Sequence, residues 1–274
     1  MLNDAEKRVS DFYNTVGWET NDEITEDARR WEDLREHARE YVSKCRLRVL
    51  EHIPEKGENM LDMASGPIQY PEYLEYSRNF KKRFCIDLSS EALESAKNKI
   101  GDRGEFLHGS FFDIPLEENF FDCTVSLHTI YHIDKDRQEE AVRKLIRITK
   151  PGKPVIIVYS NPNTMLYSLA SPVRLLKKIK RSLIKSDKAA GKTENLGLYF
   201  HAYPVEWWDR FMDVAGVKVL PWRSFGSDDQ KRLIPDNKLG KIMFDTLFDL
   251  EQRFPDFFVK HFQYPMIILT KIKS

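Results

Sequence analysis

The sequence predicts a doubly wound α/β domain, a mainly parallel sheet covered by helices on both faces. Two observations carry that prediction. From residue 60 onward, short apolar runs rich in β-branched residues ("NMLDMAS", "RFCIDLS", "EFLHGS", "FDCTVSLHTI", "KPVIIVYS") alternate with amphipathic stretches ("PEYLEYSRN", "EALESAKNKI", "DRQEEAVRKLIRIT"). Strands that are apolar throughout and joined by helical crossovers belong in a sheet buried on both sides. Helix punctuation agrees: Ser89-Ser90 followed by Glu91 offers an N-cap to the second helix, and Lys150-Pro151-Gly152 stops the long one.

Taken in order, residues 1–54 read as a helical extension. Its periodicity is carried by Val9, Phe12, Tyr13 and Val16, then, beyond an acidic loop, by Trp31, Leu34, Tyr41, Val42, Leu47 and Val49. Residues 55–160 hold the strand and helix alternation. Residues 161–200 break it with a basic, partly amphipathic insertion that follows the fifth strand. Residues 201–274 return to the domain: "AYPVEWWDRFMDVAG" as a helix with a glycine stop, "VKVLPWRSF", a helical stretch around Lys238 to Arg253, and the terminal strand "YPMIILTKIK". A helix and two strands at the end suit an antiparallel edge.

Composition narrows the function. Among 274 residues, 43 basic side chains balance 43 acidic ones, so no global field favours nucleic acid or an anionic membrane. Cys45, Cys85 and Cys123 are odd in number and far apart, which suits buried thiols in a reducing compartment and not a metal site. The N-terminus is charged from residue 4, and no run approaches the ~20 apolar residues that span a bilayer. The expectation is a soluble, cytoplasmic protein.

In an open parallel sheet, ligands bind beyond the C-terminal strand ends. Asp62 to Gly66 closes the first strand, Asp87 the second, Gly109 to Asp113 the third, and His128 to His132 follows the fourth. An acidic residue ending the second strand can accept hydrogen bonds from both ribose hydroxyls; Asp87 fits, or it caps the next helix. Here the residues resemble a family, the class I S-adenosylmethionine-dependent methyltransferases. "MLDMASGPIQY" is similar to the first motif and "FCIDLSSEALESAKNKI" to the second. "GEFLHGSFFDIPLEENFFDCTVSLHTIYHI" resembles the third and fourth, and "VRKLIRITKPGKPVIIVYS" the helix, turn and fifth strand that follow. The resemblance implies a seven-stranded Rossmann-like sheet and S-adenosylmethionine as cofactor. It places Asp62, Ala64, Ser65, Gly66, Asp87, Leu88, Ser110, Phe111 and His128 around the cofactor, with Tyr13 closing over it from an N-terminal lid. The bland alternative for Tyr13 is an aromatic core staple.

The sequence also departs from the pattern. Of three loop glycines only Gly66 remains, with Ala64 and Ile68 at the other two positions, and Ser110 stands where an acidic residue is common. A nicotinamide cofactor fits less well, because "ASGPIQYP" lacks the glycines and helix start that hold a diphosphate. Methyl transfer needs positioning, with a base only if the acceptor must lose a proton. His132, His128 and Tyr131 are the candidate catalytic residues; the histidine pair lacks the glutamate of "HExxH", so no metal is expected. His201, Tyr203, Trp207 and Arg223 are candidate acceptor contacts, Arg223 for an acidic group or else as a surface salt bridge, and Trp208 reads as core. The segment from Arg174 to Lys192 carries eight basic residues against one acidic, either a solvated face or a lid for an anionic acceptor at a membrane surface. The expected function is methyl transfer to O or N of a small molecule or a glycan or lipid-linked intermediate, without nucleic acid. The alternative is a non-catalytic S-adenosyl ligand-binding protein on the same scaffold.

Overall fold

The computed structural model describes residues 4–14, 20–21, 24–165 and 198–273. The Gly17 turn with Trp18, and the basic run from Arg174 to Lys192, lie outside the described residues.

Seven strands form one sheet: β1 (Gly57–Met63), β2 (Phe80–Asp87), β3 (Gly104–His108), β4 (Cys123–Leu127), β5 (Pro154–Val158), β6 (Ala215–Arg223) and β7 (Tyr264–Lys271), in the order β3-β2-β1-β4-β5-β7-β6. The first five pair in parallel, with Leu61 opposite Phe84 on one side and Thr124 on the other. β7 inserts antiparallel to both β5 and β6, Ile156 facing Ile268 and Lys218 facing Ile268 from the far side. β6 therefore runs in the same direction as β1–β5, so its C-terminal end meets theirs at one rim.

Alternation within the strands builds two cores. Leu61, Met63, Val155, Ile157, Ile267 and Leu269 face one side, packed against Val142, Leu145 and Ile146 of α6 (Gln138–Ile148). Met60, Val125, Ile156, Val158, Met266 and Ile268 face the other, packed against Tyr41, Val42 and Cys45 of α3 (Glu36–Leu47) and Phe244 of α8 (Lys238–Arg253). Period-two strands present successive side chains to opposite faces, while Ala38, Tyr41, Val42 and Cys45 recur at helical spacing along one stripe. All three cysteines are free and buried, as the sequence suggests, and burial pushes the Cys45 and Cys85 thiols up to about 12.

The remaining helices are α1 (Asp4–Phe12), α2 (Glu26–Trp31), α4 (Pro71–Glu75), α5 (Ser90–Ile100), α7 (Ser227–Leu233) and α9 (Pro255–His261), with a two-strand ribbon pairing Thr20–Asn21 and Ile24–Thr25 before α2. Ser89 caps α5, its hydroxyl accepting from Ala92 N at 3.2 Å. Two expectations are corrected. The segment after Pro204 is a 3-10 turn, Val205–Phe211, and not an α-helix; Gly216 does not stop it but sits in β6 opposite Thr270. The sheet takes the chain from Ala215, and burial of Trp207, Trp208 and Phe211 fixes the tighter turn before it. Helices α7 and α9, short and weakly amphipathic, were not anticipated. No helix of the described residues is long and apolar enough to cross a membrane.

Candidate functional site

The C-terminal ends of β1, β2, β3, β4 and β6 open onto one cavity of about 1190 Å³. Small-molecule sites usually occupy roughly 300–1,000 Å³, so this space accommodates two ligands side by side.

The β1–α4 loop forms one wall. Ala64, Gly66 and Ile68 all adopt left-handed backbone, with φ of 56°, 56° and 50°. The two positions where glycine is replaced keep the conformation that glycine would take freely. Ile68 is held there by burial, its side chain packed among Cys85, Leu93 and Ala96. Pro67 and Ile68 carbonyls accept from Lys99 Nζ at 2.8 and 2.9 Å, which pins the loop to α5.

Asp87 stands at the end of β2, in the cavity wall. Gly66 N donates to Oδ2 at 2.8 Å and Ser89 N to Oδ1 at 2.9 Å. Ser89, not Asp87, is the α5 cap, which removes the alternative reading of Asp87. The Leu88 backbone also bonds this carboxylate, which lines the cavity. Burial raises the Asp87 carboxyl to about 6, against the pull of the backbone donors. Asp62 also lines the cavity, but its carboxylate is engaged by the buried Arg83 guanidinium, which further donates to Tyr73 O at 2.5 Å. Ser65, Leu88 and Phe111 line the same half, and Tyr13 reaches it from the N-terminal segment. Ser110 does not line the cavity; its buried hydroxyl bonds Glu6 of α1, tying that helix over the β3 end.

Beyond β4 the chain turns through His128, whose φ of 59° is unusual for a side chain of this size. Its Nδ1 lies 3.0 Å from the Tyr131 hydroxyl, and its ring meets Trp222 and Tyr264 edge-on at 4.6 and 5.3 Å. Burial, reinforced by Arg223 and Arg46, drives the imidazole well below its ordinary value, so it is neutral. His132 is neutral too, burial pushing it down to about 4. Its Nδ1 is 2.7 Å from the Tyr199 carbonyl, which can only accept; Nδ1 therefore carries the proton and Nε2 the lone pair. The four-residue spacing does not stack the two histidines on one helical face, because only Ile130–His132 forms a 3-10 turn.

Four acceptor contacts were expected, and one lines the cavity. Arg223 is 4% exposed and pairs at 3.0 Å with Glu32, a half-buried carboxylate in the cavity wall. His201, Tyr203 and Trp207 pack away from the cavity, with Tyr203 stacked on Trp207 at 4.8 Å and its backbone N–H donating to the Tyr159 hydroxyl at 3.0 Å. Glu32, Tyr70, Tyr73 and Tyr264, which sequence reasoning missed, line it instead. Glu32 and Arg223 are 191 residues apart in the chain, and no local motif announces either.

Comparison with known proteins agrees with this geometry. The family described as "Methyltransferase domain" matches residues 61–157, the span from β1 to β5. The ubiquinone/menaquinone biosynthesis C-methyltransferase UbiE of Pseudomonas putida is 28% identical over 90 residues, 31% of this chain and 34% of that protein. The demethylmenaquinone methyltransferase of Clavibacter sepedonicus is 28% identical over 112 residues, 40% of this chain and 44% of its own length. The chain thus aligns with about a third to two fifths of the curated relatives it matches. Among solved structures, the N-methyltransferase NodS of Bradyrhizobium japonicum, in complex with S-adenosyl-L-homocysteine, superposes with a TM-score of 0.55 at 9% identity, covering 99% of this chain and 100% of that one. A S-adenosylmethionine-dependent methyltransferase from Archaeoglobus fulgidus gives 0.53 at 14% identity over 85% of this chain and 94% of its own. At these identities the structures speak for the fold, and the sequence matches speak for the core from β1 to β5. Sheet order, strand-end loop and family match converge: residues 61–157 match a methyltransferase domain, on the Rossmann-like fold of S-adenosylmethionine-dependent methyltransferases.

Proposed function

We propose that the protein transfers the methyl group of S-adenosylmethionine to oxygen or nitrogen of a small-molecule acceptor. The observation that carries this reading is Asp87, fixed by the backbone of Gly66, Leu88 and Ser89 with its carboxylate in the cavity wall, at the rim shared with His128 and His132. Asp87 takes the ribose hydroxyls, the left-handed Ala64–Ile68 loop lets backbone approach closely, and Phe111 and Leu88 supply apolar walls. When bound, the cofactor supplies an electrophilic methyl on a sulfonium, which leaves with its electron pair as a thioether.

The chain's own contribution is positioning and proton management. His132 offers an unprotonated Nε2 with a fixed tautomer, able to take the proton an acceptor loses as its bond to the methyl forms. A conjugate acid near 4 makes it a weak base, suited to an acceptor that is already nucleophilic and not to carbanion formation. That favours O or N over C as the methylated atom. Tyr131, bonded to His128, holds that ring against the β4 end. A glycan or lipid-linked intermediate is the finer reading, supported by the aromatic and polar wall opposite Asp87 and, in the sequence, by the basic run Arg174 to Lys192.

Calorimetry with S-adenosylhomocysteine tests the premise. Asp87→Ala weakens binding by about 1.5–3 kcal/mol per charge-assisted hydrogen bond lost, on a protein that still melts cooperatively. Unchanged affinity removes Asp87 from the site; no binding by the wild type removes the reading itself.

A further inference from the structure

Glu32 also stands in the cavity wall, a carboxylate held by a donor on each oxygen. Its Oε1 accepts from Arg46 Nη2 at 3.2 Å and its Oε2 from Arg223 Nη1 at 3.0 Å. Both guanidiniums are held rigidly, Arg46 at 3.3 Å over the Tyr70 ring and Arg223 at 4.8 Å over Tyr264. A carboxylate has about four acceptor sites, so two remain, one on each oxygen. Arg223 is 4% exposed, and its Nε is buried without a partner. That nitrogen is sealed by protein, and the open side of the pair is the Glu32 carboxylate, 17% exposed at the cavity wall with spare lone pairs.

Resting on the methyltransferase reading, we propose that Glu32 is the acceptor-orienting residue and that its subsite takes a neutral vicinal diol. The diol's two hydroxyls would donate to the two carboxylate oxygens. Charge argues for neutrality: Arg46 and Arg223 are balanced by Glu32 and Glu72, the latter 3.9 Å from Arg46, so an anionic ligand would have to displace a carboxylate or lie against one. This departs from the expectation that Arg223 grips an acidic group. Tyr70 and Tyr264 supply aromatic surface at the same wall for the C–H face of a ring. The diol comes from a carbohydrate ring or from a catechol, and the two are separable by experiment.

Ligand-observed saturation-transfer NMR on wild-type protein preloaded with S-adenosylhomocysteine decides the matter, with methyl α-mannopyranoside, its 2-deoxy analogue, catechol and methyl glucuronide as probes. The mannoside or catechol shows transfer; if the mannoside is the source, the 2-deoxy analogue binds at least fivefold more weakly. Glu32→Ala abolishes the diol signal while S-adenosylhomocysteine affinity stays within twofold. If that variant does not fold, Glu32→Gln, which keeps volume but loses one acceptor oxygen, takes its place with a fivefold or greater loss. The proposal is overturned if S-adenosylhomocysteine binds and neither diol does, if only the glucuronide carboxylate is recognised, or if the Glu32 variants bind diol as the wild type does. Failure of S-adenosylhomocysteine to bind strikes the methyltransferase reading instead, and calorimetry reports it separately.

Discussion

Ala64 and Ile68 share a strained backbone yet differ in what their side chains do. Left-handed backbone costs a residue with a Cβ roughly 1–2 kcal/mol, partly offset in a comparison with glycine by the roughly 0.5–1 kcal/mol of extra chain entropy glycine loses. Ala64→Gly is therefore expected to stabilise the protein by up to about 1 kcal/mol in chemical denaturation, with cofactor affinity retained. Ile68→Gly relieves the same strain but empties a site only 1% exposed, and a net loss of about 2–4 kcal/mol follows. Two titrations near the cavity act in opposite senses. The Asp87 carboxyl is raised from 3.8 to about 6, so its contribution to folding stability is full below 3.8 and is lost as pH rises through 6. The His132 imidazole is lowered from 6.5 to about 4, so its contribution is present above 6.5 and is lost as pH falls toward 4. With the ionised Asp87 receiving the ribose as proposed, S-adenosylhomocysteine affinity should fall roughly tenfold per pH unit below about 6, and Asp87→Asn should bind weakly with a flat profile. A wild-type affinity constant from pH 7 to 5 would contradict this.

At the scale of elements, the strands and their caps were legible because their signals are local. Apolar runs of strand length, the serine before α5 and the proline-glycine turn after α6 each sit within a few residues of the structure they specify. Ser89→Ala should cost about 1 kcal/mol, seen as a lowered melting temperature with the Asp87 bond from the Ser89 backbone preserved. The segment 205–211 was misread because its tryptophans and phenylalanine recur at near-helical spacing, while the strand beginning at Ala215 decides how much chain is left. The N-terminal ribbon has two residues per strand, too short for any periodicity to show.

For the whole molecule, sheet order alone brings Gly66, Asp87, Phe111, His128 and His132 to one rim, which is why the cofactor half was readable from strand ends. Glu32, Tyr70, Arg223 and Tyr264, proposed above for the acceptor, come from four separate stretches of chain and meet only after folding. His201, Tyr203 and Trp207 had the right composition for a pocket but line none of it; Trp207 is core and Tyr203 packs against that core, since aromatic residues with polar tips serve either place. A ligand that binds only the folded rim stabilises the entire domain, so S-adenosylhomocysteine at a hundred times its dissociation constant should raise the unfolding free energy by about 2.7 kcal/mol, measured by denaturant titration. No shift under saturating ligand would mean that the rim does not bind it.

The antiparallel placement of β7 has a consequence for how such a protein changes over time. The chain leaves the rim at Ser224 and returns at Gln263, where the Gln263 N–H donates to the Ser224 carbonyl at 3.1 Å. The intervening helices α7 to α9 form an excursion clasped at its base, and lengthening a closed loop carries only a slow entropic cost. Insertions at the exposed turn of Pro235 and Asp236 would leave the register of β6 and β7 untouched, along with Phe244 in the core and the Asp87 end of the cavity on the far side of the sheet order. Variation there can reshape the mouth beside Ser227, Asp228 and Arg232, so lineages and protein engineers alike can vary the entrance without rebuilding the residues behind it.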